Sequence, residues 1–151
     1  MTIRKVKKGI CRPRPFKSAF KAVSNKNQSI GRPEFGVTVK YGKVIFDAGN
    51  EYNPDTSTFI PKHDGVYSLF GSILYKRGSL KPDEVLLLLT VNDFVVFAGS
   101  KVINSDREFI TAAAVKKLRK GDKVKLVASS HVSGGVILKG CSTRFKGKRI
   151  R

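Results

Sequence analysis

The chain has 151 residues, 40% of them hydrophobic, enough to bury one core and too few for a second full domain of ordinary size. Thirty Lys and Arg against eleven Asp and Glu leave a formal net charge of +19, which predicts attraction to polyanions such as nucleic acid, sulfated or phosphorylated glycan, anionic lipid or acidic mineral. The longest apolar run, Val85 to Val91, is strand-sized, so no membrane span is expected, and two cysteines are too few for the four paired ligands of a structural zinc site.

The chain opens on a basic segment. Residues 1–21 hold eight Lys or Arg and no acid, and Pro13 and Pro15 bracket Arg14. Self-repulsion and proline both oppose compact structure, so residues 1–15 are expected to form a flexible basic arm and residues 16–151 a single domain. The opening has no apolar signal-like stretch, which leaves either an intracellular protein or a signal segment outside this sequence. From "SAFKAVS" onward, short apolar runs alternate with turn clusters, the pattern of a sandwich or barrel. "GVTVKYGKVIFD" reads as two short strands across Tyr41-Gly42 and "GVYSLFGSILY" as a long one. "VLLLLTVNDFVVFAGSKV" reads as a hairpin turning at Asn92-Asp93, residue types that tolerate left-handed backbone. In "REFITAAAVKKLRK", Phe109, Ile110, Ala113 and Leu118 suit a helical face, whereas a period of two puts Phe109, Thr111, Ala113 and Val115 on one side; the β surroundings favour the strand. In "LRKGDKVKL", Leu118, Val124 and Leu126 are expected to hold the sheet while Lys120, Lys123 and Lys125 face outward. No repeat of fixed period is present.

The spacing becomes specific at "YNPDTSTFIPKHDGVYSLFGSIL": an aromatic at Tyr52, Phe59 after six residues, Gly65 after five more, then Tyr67. With "VIFDAGN" before it and "TVNDF", "LRKGDKVKL" and "STRFKGKRI" after it, in order, roughly residues 18–150 resemble the globular-head domain of complement C1q. The resemblance implies a ten-stranded jelly-roll β-sandwich of the C1q and tumour necrosis factor type, a compact homotrimer and a secreted, extracellular home. It also implies innate-immune recognition, although no Gly-X-Y repeat of the family's usual collagen stalk precedes Ser18 in these residues. Tyr52, Phe59, Tyr67 and Phe145 are then core residues, each burying about 150–250 Å². Gly65 and Gly121 are expected where the chain needs positive φ. The chain departs from the family pattern in a short segment between Phe46 and Tyr52, in lacking aromatics at Leu69 and Gly71, and in carrying Arg149 where an apolar residue is usual. A trimer would triple the positive charge and demand anions nearby.

Little points to catalysis: His63 and His131 are the only histidines, and no nucleophile, base and orienter are marked as a set. Asp47, Asn50, Glu51, Asn53 and Asp55 offer oxygens for calcium, though not at EF-hand spacing, and a polar turn-rich loop is the favoured reading; no other metal and no cofactor is expected. Three basic clusters stand out: the arm (Arg4, Lys5, Lys7, Lys8, Arg12, Arg14), a central hairpin (Lys116, Lys117, Arg119, Lys120, Lys123, Lys125) and the final strand (Arg144, Lys146, Lys148, Arg149, Arg151). Solubility needs a net charge of only about 2–8, so the clusters are assigned to anion binding. Arg144, Lys146 and Lys148 alternate and would project from one strand face at about 6.6–7 Å, near the spacing of charges on an extended polyanion. The nearby aromatics Phe16 and Phe145 are expected to belong to the core or its edge, so nucleic acid would be held by its backbone, without base readout. The family fold makes the first and last strands neighbours, which implies a candidate disulfide between Cys11 and Cys141; from residue types alone, one disulfide and two free thiols both stand. The expected ligands are lipopolysaccharide, acidic glycan, extracellular matrix or a mineral surface. Two alternatives remain: a jelly-roll assembly protein packaging nucleic acid with its basic arm, and a cytokine-like trimeric receptor ligand.

Overall fold

The computed structural model describes residues 17–30 and 36–151. Its thirteen strands are β1 Ala19–Ser24, β2 Gln28–Ser29, β3 Val37–Thr38, β4 Lys43–Asp47, β5 Tyr52–Asn53, β6 Thr58–Phe59, β7 Gly65–Lys76, β8 Asp83–Val91, β9 Phe94–Ile103, β10 Arg107–Leu118, β11 Val124–Ser130, β12 Val136–Leu138 and β13 Gly140–Arg149. The first sheet runs β2-β12-β7-β13-β1-β4, with β10 also paired to β7. The second runs β5-β6-β11-β8-β9, with β3 paired to β11. This is the jelly-roll sandwich expected, with thirteen strands rather than ten because β2, β3, β5 and β6 are two-residue pieces and β12 has three residues. The first and last strands are neighbours, Ala19 opposite Lys148 and Ala22 opposite Phe145.

Alternation decides which side chains meet inside. Phe20 from the first sheet stacks between Tyr52 at 5.2 Å and Phe59 at 4.5 Å from the second, and meets Phe145 edge-on at 4.9 Å. Phe59 in turn packs edge-on to Tyr67 at 5.7 Å. Tyr52, Phe59, Tyr67 and Phe145 are all buried, joined by Phe20, Tyr41 and Tyr75, which the family spacing does not single out. Leu69 is buried where the family places an aromatic. At Gly71 the vacancy is filled from the other sheet: an added Cβ would lie 2.1 Å from Leu126 Cδ1. In β10, Ile110 and Ala112 face the core, so Phe109, Thr111, Ala113 and Val115 do share a side, and that side is the exposed one.

The turns follow their residue types with one exception. Asn92 (φ 50°) and Asp93 (φ 67°) are both left-handed, as a two-residue hairpin turn requires, and Gly121 (φ 88°) opens the turn before β11. Asn92 also ties the two turns together, its Oδ1 accepting from the Lys123 amide at 2.9 Å and its Nδ2 donating to Asp122 at 3.0 Å. Gly65 is the exception. Its φ is not positive; glycine is needed because a Cβ there would come within 2.4 Å of both Arg149 Nε and the Arg151 carbonyl oxygen.

Two carboxylates are buried among the described residues, Glu51 and Asp83. Asp83, at the start of β8, accepts from the Tyr75 and Ser130 hydroxyls, each at 2.6 Å, and from the amides of His131 and Val132, each at 3.2 Å. It pins three segments, and its loss strands buried donors. Asp83→Ala should cost about 3 kcal/mol in urea denaturation, against less than about 0.5 kcal/mol for Glu84→Ala, whose pairing with His131 is exposed.

All four tyrosines are raised above the ordinary value of 10.0, chiefly by burial, Tyr52 and Tyr75 to about 12. The folded state therefore holds the phenolic proton more tightly than the unfolded chain, and the stability this contributes is complete below about pH 10 and drains away toward about pH 12. Tyrosinate absorbance should rise only together with cooperative alkaline unfolding. An ordinary titration near pH 10 with the fold intact would contradict this packing.

Candidate functional site

With Thr143, Phe145 and Gly147 turned into the core, Arg144, Lys146 and Lys148 project from the outer side of the first sheet. Register sets their neighbours. Lys146 lies opposite Lys21 on β1 and opposite Phe70 on β7; Lys21 lies opposite Phe46 on β4, and Phe70 opposite Ala113 on β10. A single row thus crosses five strands as Phe46, Lys21, Lys146, Phe70 and Ala113. Arg144 lies opposite Ser72, and Lys148 opposite Ser68. The Lys146 ammonium sits 5.1 Å and the Arg144 guanidinium 5.4 Å from the centre of the Phe70 ring, each contact worth about 0.5–1 kcal/mol at an exposed site.

The face is electrostatically one-sided. Among the described residues, none of Lys21, Arg144, Lys146 or Lys148 lies within ion-pair distance of a carboxylate, and Arg144 Nε is buried without an acceptor. Two grooves flank Phe70. One, of about 410 Å³, runs between Phe46, Lys21, Lys146 and Lys148; the other, of about 280 Å³, holds Arg144, Phe109 and Thr111. A further groove of about 490 Å³ carries Lys21, Lys43 and Lys139 beside the exposed Cys141.

The central hairpin cluster does not come together in this way. Lys117 lies opposite Val66 at the end of the cationic face, Arg119, Lys120 and Lys123 are exposed near the turn into β11, and Lys116 is exposed late in β10. Lys125 belongs to the other sheet and pairs with Asp93 at 3.0 Å. Acids lie beside this turn: Asp122 accepts from the Arg119 amide and Asp64 from the Lys120 amide, both at 2.8 Å. Arg149 is half-buried and donates to the Asp64 carbonyl at 2.8 Å, so the residue standing where an apolar one is usual clamps the loop before β7 rather than marking an exposed strand. Arg151 is exposed. Arg4, Lys5, Lys7, Lys8, Arg12, Arg14, Cys11 and Phe16 lie outside the described residues.

Both Asp47 oxygens, Glu51 Oε2 and Asn53 Oδ1 are taken up by nearby backbone amides, whereas Glu51 Oε1 is buried without a partner. Asp47 accepts from the amides of Glu51 (3.1 Å) and Tyr52 (2.9 Å), the buried Glu51 from Lys62 (2.7 Å), and Asn53 from Asp55 (2.9 Å). Asn50 turns the chain at φ 54°. Among the described residues, no group of three or more His, Cys, Asp or Glu side chains comes together for a metal. Of the aromatics expected at the core or its edge, Phe145 is buried and Phe16 lies outside the described residues; Phe70, which that reading did not consider, lies on the cationic face. Sequence reasoning missed Lys21, Lys43, Lys139, Phe46 and Phe70. Lys21 was within reach, since it follows the inward Phe20 and must point out; the others need the cross-strand register.

A curled antiparallel sandwich whose first and last strands adjoin defines the jelly roll shared by C1q heads and tumour necrosis factors. The chain belongs to the C1q family: the C1q domain profile matches residues 19–147. Solved structures agree in fold. The globular domain of zebrafish complement 1qA is similar with a TM-score of 0.63 at 21% identity, over 89% of this chain and 98% of that one. Murine APRIL is similar with a TM-score of 0.66 at 12% identity, over 89% and 99%. Eiger TNF from S. frugiperda is similar with a TM-score of 0.63 at 13% identity, over 89% and 93%. No helix among the described residues is long and apolar enough to cross a membrane.

Like charges directly opposite across two strands repel, so Lys21→Glu, facing Lys146, should stabilise the isolated domain by about 0.5 kcal/mol at low salt. The gain should fade at high salt, as urea denaturation at two ionic strengths would read.

Proposed function

We propose that this chain is a secreted, non-enzymatic recognition domain that assembles as a homotrimer and captures anionic ligands (lipopolysaccharide, acidic glycan, matrix or mineral surface) through its lysines and arginines. The observation that carries the reading is the scarcity of internal neutralisation. Of a +19 chain, only Lys101, Arg107 and Lys125 among the described lysines and arginines reach a carboxylate within ion-pair distance. Charge left in this state attracts polyanions over distances of about a Debye length.

Assembly is supported by a separate feature. Phe46, Phe109 and Val115 are exposed on the outer side of the first sheet, and Phe94, Val95 and Phe97 on β9, the edge strand of the second. Phe109 is 52% exposed, Val115 64% and Phe94 77%. Apolar surface of this kind, on two different parts of one chain, suits a head-to-tail contact that closes into a ring.

A cytokine-like receptor ligand is the second reading, supported by the likeness in fold to APRIL and Eiger TNF. It does not need +19. Pull-down on immobilised lipopolysaccharide, heparin and RNA over a salt series separates the readings. Affinity for the first two should fall about a hundredfold for a fourfold rise in salt if about four anionic groups are neutralised, with weaker binding to RNA. Preference for RNA would favour nucleic-acid packaging. Salt-insensitive binding to one protein receptor would favour the cytokine reading.

A further inference from the structure

We infer that a small multivalent oxyanion of the sulfate or phosphate class is held on the outer face of the first sheet between copies of the chain, and that assembly depends on it. This rests on the assembly reading above and adds a ligand to it. The cross-strand register is what requires the ion. Phe46 and Phe70 are the aromatic members of one cross-strand row, and Lys21 and Lys146 stand between them. A second copy that covers both rings therefore also covers both ammonium groups. Taking such charges out of water costs several kcal/mol per ion unless they are paired.

This face cannot supply the pairing. Asp47, at the end of β4, already accepts at both carboxylate oxygens from the Glu51 and Tyr52 amides, and Glu108 on β10 is on the inner side with Ile110 and Ala112, 3.9 Å from Lys101 of β9. A second copy brings the same surplus, eleven acids against thirty bases. Across Phe70, in the neighbouring groove, Arg144 also has its Nε buried without an acceptor. Its planar fork is the group that best matches a tetrahedral oxyanion.

The site has room for a small ion. The groove bounded by Lys21, Lys146, Lys148 and Phe46 has about 410 Å³, room for an ion with its waters. A polymer would have to thread between closed copies. Chloride carries a single charge and offsets less of the cationic cluster, whereas sulfate and phosphate are multiply charged and present several oriented acceptor oxygens to convergent cations. Binding and assembly are then linked reciprocally: the ion strengthens association by the same factor by which association strengthens its binding.

Light scattering of the full chain over a dilution series, in sodium chloride and in sodium sulfate or phosphate at matched ionic strength, tests this. Sulfate and phosphate should raise the association constant by about tenfold or more over chloride. Sulfate also favours burial generally, so Lys146→Glu serves as the control, with Lys21→Glu as a second variant and a cooperative urea transition as proof of folding. Both variants should associate equally in the two salts. Equal association of the unaltered chain in chloride would overturn the anion's role and leave assembly standing. Variants that respond to sulfate as strongly as the parent would reduce the effect to general salting-out and overturn the site. A monomer in every salt would overturn both readings, and assembly only with a sulfated oligosaccharide would replace the small ion with a polymer.

Discussion

The molecule depends on one aromatic sandwich. Phe20 lies flat between Tyr52 and Phe59 and edge-on to Phe145, so a single ring from the first strand locks the two sheets together. The strands β5 and β6, which carry Tyr52 and Phe59, are only two residues long and have little ladder of their own; side-chain packing across the sandwich holds them. Each buried ring contributes several kcal/mol of transfer free energy, which backbone pairing in so short a segment does not match. Fixing Phe20 inward also fixes Lys21 outward, just as fixing Phe145 inward turns Arg144 and Lys146 out. The pleat leaves no other choice.

The cationic face is thus a geometric consequence of the core. What composition adds is the absence of acids to neutralise it. This chain sets Lys21 opposite Lys146 and rests two cations on the ring of Phe70. The arrangement costs the isolated domain some repulsion, and the same repulsion becomes attraction once an anion arrives. Apolar and cationic side chains interleaved on one surface would make association through it responsive to the ionic surroundings, which an apolar patch alone would not be.

Much of this is legible in the sequence, and the reasons are local. The spacing from Tyr52 to Tyr67, the Asn92-Asp93 turn and the alternation along the final strand are short-range patterns, and the fold keeps all of them. What is not legible depends on residues far apart in the chain. Gly65 looks like a turn glycine because it follows a polar loop, yet it makes room for Arg149 and Arg151 arriving from the chain end. The missing aromatic at Gly71 is replaced by Leu126 from the opposite sheet. The loop acids resemble a cation site because their oxygens cluster in sequence, whereas in space backbone amides claim both oxygens of Asp47 and one of Glu51. The hairpin lysines are adjacent in sequence and are divided between two sheets by the fold.

Side-chain footprinting by hydroxyl radicals, read by mass spectrometry, addresses the working role of the outer face most directly. In sulfate, labelling should drop at Phe46, Phe70 and Phe109 relative to chloride, while Leu80, 89% exposed in the loop before β8, stays as reactive as before. Equal labelling of those three rings in both solutions, or protection of Leu80 alone, would show that this surface is an idle exterior.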